Sequence, residues 1–499
     1  MVGSTPELLT LVEVARIAGQ KRSTVGNWKD RIEEFPAPQE MGPRGPLYDR
    51  TEIVQWLAAT GRLPQPDPNN HDVRLPVEVL SDEMRAKDAL VIFLMVYALR
   101  TVLSGKEWLT LVNANLHDQE KCFWESIAKY LPFAQSLLPH SALQSDRMRS
   151  FLQKVGEMSP DEAAGVSDTM VEWLELGPDT GEGELPPSIV SLVVALAGQG
   201  EVILDPAARA GQLLVAIGKA SGSPSARLIG QEQDNWARGI AMLNLKIHGL
   251  ESSIGAENAL THDQVPDIRA DVIVSNPPWG QRLFSADQLA NDARWVWGDP
   301  GSGDGNMAWV QHCLYHLADH GRAVMVLPPK VLFEQGRSAK IRQGVIKSGY
   351  LESVIALPPG LLRSTKIGVA ILVFAKGRRP ADGKPASTLM VNLEDQPLEE
   401  WGKWKRLPTS LVKEVIALNK RVLAGAEPES EFAAIATYND IAENGFDISP
   451  KRYVVSPEIF VTPKQLDDAL EVARRSVRQA LEDGRRADQK LEALLRGRP

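Results

Sequence analysis

The stretch Glu201-Val202-Ile203-Leu204-Asp205-Pro206-Ala207-Ala208-Arg209-Ala210-Gly211-Gln212 decides the fold. A short apolar run ends at an acid, a turn of small residues follows, and an apolar helical pattern begins at once. The same grammar recurs from 200 to 376. β-rich runs at 201–204, 227–231, 271–275, 322–327, 353–357 and 368–374 alternate with helical segments. Strands separated by helices predict an α/β domain with a doubly wound, mostly parallel sheet. In such sheets ligands bind outside the carboxyl ends of the strands, where the strand order reverses. The residues just after each strand are therefore the candidates for chemistry.

Three strand ends carry polar groups: the Asp205 loop, Gly230-Gln231-Glu232, and Ser275-Asn276-Pro277-Pro278-Trp279-Gly280. An Asp-Pro turn or a single acid at a strand end is ordinary. Asn-Pro-Pro-Trp is not, because with Pro at about 5% of residues it arises by chance in well under roughly one chain in a hundred. The exocyclic amine of adenine has its lone pair delocalised into the ring and is a poor nucleophile. Two acceptors aimed at its protons, the Asn276 side-chain oxygen and the Pro277 carbonyl, would draw the nitrogen towards tetrahedral geometry. Pro277 and Pro278 hold the backbone so that these acceptors are preorganised. Trp279 offers a face on which an extruded base can stack.

This combination resembles class I S-adenosylmethionine-dependent methyltransferases acting on adenine N6 in DNA. More narrowly, it is similar to the modification subunits of type I restriction–modification systems. The likeness extends to Gly305-Asn306-Met307-Ala308-Trp309-Val310-Gln311-His312 and to the stretches 320–328, 336–342, 354–360 and 441–449. It covers about 180–455, in the family's order. The resemblance implies a sulfonium cofactor, S-adenosyl-L-methionine, with Asp205 and the backbone at Ala207 and Gly211 against its methionine part. Glu232 would accept both ribose hydroxyls, and Asn258 would face the cofactor adenine. Gly183, in Gly183-Glu184-Leu185-Pro186-Pro187, would line the methionine end. Asn276, Pro277, Pro278 and Trp279 would be the catalytic residues. The implied chemistry is direct methyl transfer to a flipped base, with no covalent enzyme intermediate and no metal. The sequence departs from the family at Arg209, where the first glycine of the cofactor loop is usual, and at Leu185 and Pro186. A glycine there serves a positive φ or a close backbone approach, and arginine suits neither well.

Composition bounds the rest. The chain has 499 residues, 43% hydrophobic and 24% charged, an ordinary globular mixture that excludes a wholly disordered or fibrous protein. Lys+Arg number 55 against 64 Asp+Glu, a formal charge of −9, which excludes a uniformly basic nucleic-acid coat but not a local basic cleft. Two cysteines, Cys122 and Cys313, are too few for a disulfide framework and point to a reducing, cytoplasmic setting. The longest apolar run, 89–99, is half the length a membrane span requires (about 20 residues), so a buried helix and no membrane are expected.

Six segments follow. Residues 1–63 read as a winged helix-turn-helix, with Ser23 capping a helix from Thr24 and a hairpin at 42–46. This part resembles the small excisionase and MerR-like modules, which implies contact with double-stranded DNA through Arg22, Ser23, Thr24, Asn27 and Lys29 in a major groove and Arg44 on a phosphate. A helical protein-docking module is the alternative. Residues 64–70 are a Pro-rich linker, 71–180 a helical domain, 181–395 the methyltransferase domain and 396–455 an extension. Residues 456–499 read as one long polar helix, and in the type I systems the comparable tail joins a specificity subunit; a solvated charged tail is the alternative. Two other functions stay open at this point. One is a DNA-binding regulator on a weakened methyltransferase scaffold, favoured by Arg209 together with the altered upstream segment at Leu185 and Pro186. The other is methylation of a glutamine amide in a protein.

Overall fold

A computed structural model of the chain describes 8–11, 14, 22–32, 35–42, 45–49, 52–53, 56–57, 60, 86–137 and 146–173. It also describes 185–454, apart from 224, 283–291, 304, 363–364, 378–384 and 402–403, together with 474 and 478. The chain divides into two compact units, Met1–Leu75 and Pro76–Pro499.

In the first unit, β1 (Leu8–Thr10), β2 (Glu40–Gly42) and β3 (Gly45–Asp49) form an antiparallel sheet in the order β1-β3-β2. Gly42 stands opposite Gly45, so the Gly/Pro cluster marks a hairpin. The helix α1 runs Arg22–Arg31, with Lys29 and Arg31 in its last turn, where they complement the helix dipole. It starts before Ser23, so that residue lies inside the first turn and not ahead of it as a cap. Val14, Val25, Tyr48, Ile53, Trp56 and Leu57 form the core, with Phe35 edge-on to both Tyr48 and Trp56.

The second unit opens with α2 (Ala86–Val102), α3 (Gly105–Asn113), α4 (Leu116–Tyr130), α5 (Asp146–Glu157) and α6 (Pro160–Trp173). Residues 91–99 of α2 are all buried, as the apolar run required. Among the described residues no helix is long and apolar enough to cross a membrane. Trp108, Phe123 and Trp124 are buried within this layer.

Alternation then takes over. α7 (Pro187–Ala197) precedes β4 (Val202–Asp205), α8 (Gln212–Ser221), β5 (Arg227–Gln231), α9 (Asn235–Ile247), β6 (Ser252–Gly255) and β7 (Ala270–Ser275). After β7 come α10 (Asn306–His316), β8 (Leu317–Leu327), α11 (Arg337–Lys347), β9 (Leu351–Leu357) and β10 (Val369–Ala375). The chain continues with β11 (Thr388–Asn392), a hairpin of β12 (Glu399–Trp401) and β13 (Trp404–Arg406), α12 (Thr409–Leu423) and β14 (Ala433–Ala436).

Nine strands make one sheet in the order β14-β11-β9-β10-β8-β7-β4-β5-β6. Neighbours from β6 to β8 are parallel, β10 is antiparallel to β8 and to β9, and β14 is antiparallel to β11. Alternate residues feed the two faces: Val272, Val274, Val324 and Val326 join one apolar layer, Ile273, Ala323, Met325 and Leu327 the other. The helical layer meets the sheet through α9, where Ser167 bonds Asn244 at 3.2 Å and Asp168 bonds His248 at 2.9 Å. The chain leaves β4 towards β5 and β6, then returns to β7 on the other side of β4. This reversal puts the switch point of the sheet between β4 and β7.

Of 455–499 only Arg474 and Arg478 are described, both helical, so the expected long helix lies outside the described residues.

Candidate active site

Asp205 ends β4 and is buried; its Oδ1 accepts the N–H of Ala207 at 3.0 Å and so sets the turn that follows. The loop closes with Ala208 N–H on the Gln231 carbonyl (2.9 Å) and Gly211 N–H on the Ala208 carbonyl (2.7 Å). Gly211 sits at φ 80°, and a Cβ there would meet the Cα of Ala241 at 3.2 Å. Both the conformation and the close approach to α9 therefore require glycine. Arg209 keeps the left-handed conformation that a glycine would supply, at φ 50°. Its N–H donates to Glu232 Oε2 at 2.9 Å.

Glu232 follows β5, half-buried, with Oε1 accepting from Asp234 N–H at 2.8 Å. Burial raises its pKa above the usual glutamate value, against the pull of these two N–H donors. Each oxygen retains a further lone pair for a hydroxyl donor. Beyond β6, Asn258 accepts from Leu260 N–H (2.9 Å) and donates to Gln233 Oε1 (2.8 Å), which brings it beside the Glu232 turn.

Asn276 and Pro277 are buried directly after β7, on the strand adjacent to β4; Pro278 and Trp279 are half-buried. The Trp279 indole N–H donates to the Val326 carbonyl of β8 at 3.2 Å. That bond fixes the ring against the sheet and leaves part of it exposed. Asn306, buried at the start of α10, accepts the N–H of Gly280 at 3.1 Å, and Gly305 N–H donates to the Gln281 carbonyl at 2.8 Å. The Asn-Pro-Pro-Trp corner is thus pinned on one side by β8 and on the other by α10.

Thus Asp205, Ala207, Gly211, Glu232, Asn258 and Asn276–Trp279 all lie at the carboxyl ends of β4, β5, β6 and β7. Gly183 and Arg44 lie outside the described residues. Arg22, Ser23, Thr24, Asn27 and Lys29 are on α1 in the other unit, with Asn27 and Lys29 exposed. Two contributors escaped the sequence reading. Asn306 was visible only as part of a quoted motif. Gln212 clamps Leu185 reciprocally, Leu185 N–H to Oε1 at 2.9 Å and Nε2 to the Leu185 carbonyl at 2.8 Å, joining the upstream segment to the loop after β4. The bonding pattern from Gln212 to Leu185 has no local sequence signature.

Asp263, His312 and His316 bring potential metal-ligand atoms within 4.8 Å of one another. Other partners already occupy them. His316 faces the Ile268 carbonyl with Nδ1 (3.0 Å) and Asp263 with Nε2 (2.9 Å). His312 receives an Arg294 N–H on Nδ1 at 2.9 Å, which leaves its proton on Nε2 and no lone pair there for a cation. Burial, then its neighbours His316 and Arg294, push His312 well below the usual histidine range and keep it neutral.

The strand order is the doubly wound, mostly parallel one of the class I methyltransferase fold. A model of the N-6 DNA Methylase family matches residues 175–460, more than half of the chain, and the chain belongs to that family. It is an adenine-specific DNA methyltransferase whose cofactor is S-adenosylmethionine. The chain is 27% identical over 315 residues to the methylase subunit of the type I restriction enzyme HindI from Haemophilus influenzae, covering 60% of this chain and 68% of that one. It is 27% identical over 285 residues to the corresponding MjaIX subunit of Methanocaldococcus jannaschii, covering 54% of this chain and 51% of that one. The chain thus spans about half the length of the second relative. Its fold is that of a type I methyltransferase subunit from Streptococcus thermophilus, with TM-score 0.65 at 17% identity over 77% of this chain and 98% of that one.

Proposed function

We propose that this methyltransferase is the modification subunit of a type I-like restriction–modification assembly, and that the Asn276–Pro277 corner carries its chemistry. The supporting observation is the double anchoring of that corner beside the β4/β7 switch point, by Trp279 on Val326 and by Gly280 on Asn306. An acceptor pair works only if it need not reorganise when the target amine arrives. The cradle fits the cofactor: a tight backbone turn at Ala207–Gly211 for the methionine part, a carboxylate at Glu232 for the ribose hydroxyls, and Asn258 for the adenine. S-adenosylmethionine supplies an electrophilic methyl on a sulfonium.

Asn276 Oδ1 and the Pro277 carbonyl accept the two N6 protons of a flipped adenine, and Trp279 stacks on the ring. The lone pair so localised would be aimed at the methyl that the bound cofactor supplies. The N6 proton, strongly acidic after transfer, leaves to water, so no residue has to act as a strong base. The unit at 1–63 acts as a winged helix on double-stranded DNA, through Arg22, Ser23, Thr24, Asn27, Lys29 and Arg44. The segments 71–180, 181–395 and 396–455 serve as a helical layer, the methyltransferase proper and its extension. The helix at 456–499 joins a specificity subunit.

The regulator reading rests on Arg209 and the altered segment at Leu185 and Pro186, and it loses force at Arg209, which keeps the positive φ and donates its N–H to Glu232. The test is transfer of labelled methyl from S-adenosylmethionine to duplex DNA, with nucleoside mass spectrometry of the product. N6-methyladenine is expected. Label found only in protein, or none with cofactor bound, would overturn the reading.

A further inference from the structure

The buried guanidinium of Arg294 has no place in the chemistry above, yet it makes more bonds than any catalytic side chain. Nη1 donates to the Ala259 carbonyl (2.7 Å) and to His312 Nδ1 (2.9 Å), and Nη2 to the Leu260 carbonyl (2.6 Å). Nε donates to Asp292 Oδ1 at 2.9 Å, and Asp292 also pairs with Nη2. One planar group therefore joins three pieces of chain: the turn after β6, the segment from 292, and α10. A guanidinium is suited to this because its donors sit in a rigid fork, which lysine cannot reproduce.

The two carbonyls it holds belong to the residues right after Asn258. That turn is closed by Leu260 N–H on Asn258 Oδ1. Pulling the 259 and 260 carbonyls to one side sets the peptide planes, and with them the direction of the Asn258 amide. The same segment is locked a second time to α10, by Gln311 accepting Trp297 N–H (3.0 Å) and donating to the Gly298 carbonyl (2.9 Å).

We propose that Arg294 is a positioning residue for the cofactor, aiming Asn258 at the adenine of S-adenosylmethionine through the Ala259 and Leu260 carbonyls. The inference rests on the cofactor cradle assigned above. Because Arg294 touches neither methyl nor target base, its loss is felt in cofactor binding and little in the chemical step.

The experiment uses the full chain with Arg294→Lys, Asn258→Ala and the double variant, reading the calorimetric Kd for S-adenosylmethionine without DNA, which should rise in step with KM, together with KM for S-adenosylmethionine, KM for DNA and kcat. Arg294→Lys should raise KM for the cofactor at least tenfold, leave KM for DNA unchanged and lower kcat no more than threefold. The double variant should lose no more than the worse single variant, because both act on one contact. Asp292→Ala, at a more exposed position, provides a milder disturbance: KM for the cofactor should rise, and Asp292→Asn, which keeps an acceptor for the guanidinium, should restore most of it. Additive losses in the double variant, equal rises in both KM values, or an unchanged cofactor KM in Asp292→Ala would overturn the role of Arg294. A wild-type chain that binds no S-adenosylmethionine would overturn the cradle itself, and this inference with it.

Discussion

The backbone N–H of Arg209 lies 2.9 Å from the Glu232 carboxylate, and it reaches that position with φ at 50°. A residue with a Cβ pays about 1–2 kcal/mol for this conformation. The loop nevertheless holds it, because the N–H would otherwise point away from the end of β5. Arg209→Gly should therefore stabilise the protein by about 1 kcal/mol in denaturant unfolding. Cofactor affinity should change less than threefold. A variant less stable than wild type would show that the arginine side chain outweighs the strain.

Glu232→Gln tests the other partner. The amide has one acceptor oxygen in place of two, and its NH2 faces hydroxyl donors. About 1.5–3 kcal/mol of binding should be lost, roughly a tenfold to hundredfold weaker cofactor affinity by calorimetry.

The pH dependence follows in sign. In the proposed cradle the ionised form of Glu232 accepts the hydroxyls, and burial raises its pKa above the ordinary glutamate value. Affinity should rise with pH through an inflection above the ordinary glutamate range, and the inflection should vanish in Glu232→Gln. An inflection at the ordinary value would contradict the burial of this carboxylate.

How much of this was legible differs from element to element. The apolar runs before Asp205, Glu232 and Asn276 announced their strands, because both faces of a parallel sheet are covered and the central residues are apolar. The direction of β10 was not legible, since an antiparallel strand buried on both faces has the same composition. β6 and β14 did not stand out, because each carries a single large apolar residue, Ile254 and Ile435. At the site, Asn276 was visible because two prolines are conspicuous, and Glu232 because an acid ends a strand. Asn306, Gln212 and Arg294 were not, because each acts on backbone groups distant in the sequence, and only the fold brings those groups within reach.

Asn306→Ala removes the acceptor that holds Gly280. The loss should be about 1 kcal/mol of stability. Because the corner then loosens, kcat should fall roughly tenfold through misplacement of the acceptors, with cofactor affinity unchanged. Equal effects on kcat and on cofactor binding would mean that Asn306 supports the fold alone.

Lys29, exposed on α1, tests the N-terminal unit. Lys29→Ala should weaken DNA binding evenly across sequences and reduce the slope of log affinity against log salt by about 1. An unchanged slope would remove Lys29 from the DNA interface.

The most direct measurement is single-turnover methyl transfer by Asn276→Ala, with S-adenosylmethionine binding followed on the same preparation. Losing one preorganised acceptor should slow transfer by about 10²–10³-fold while cofactor affinity stays within threefold. Transfer at the wild-type rate, or a parallel collapse of cofactor binding, would contradict the assignment of the Asn276–Pro277 corner as the group that activates the adenine amine.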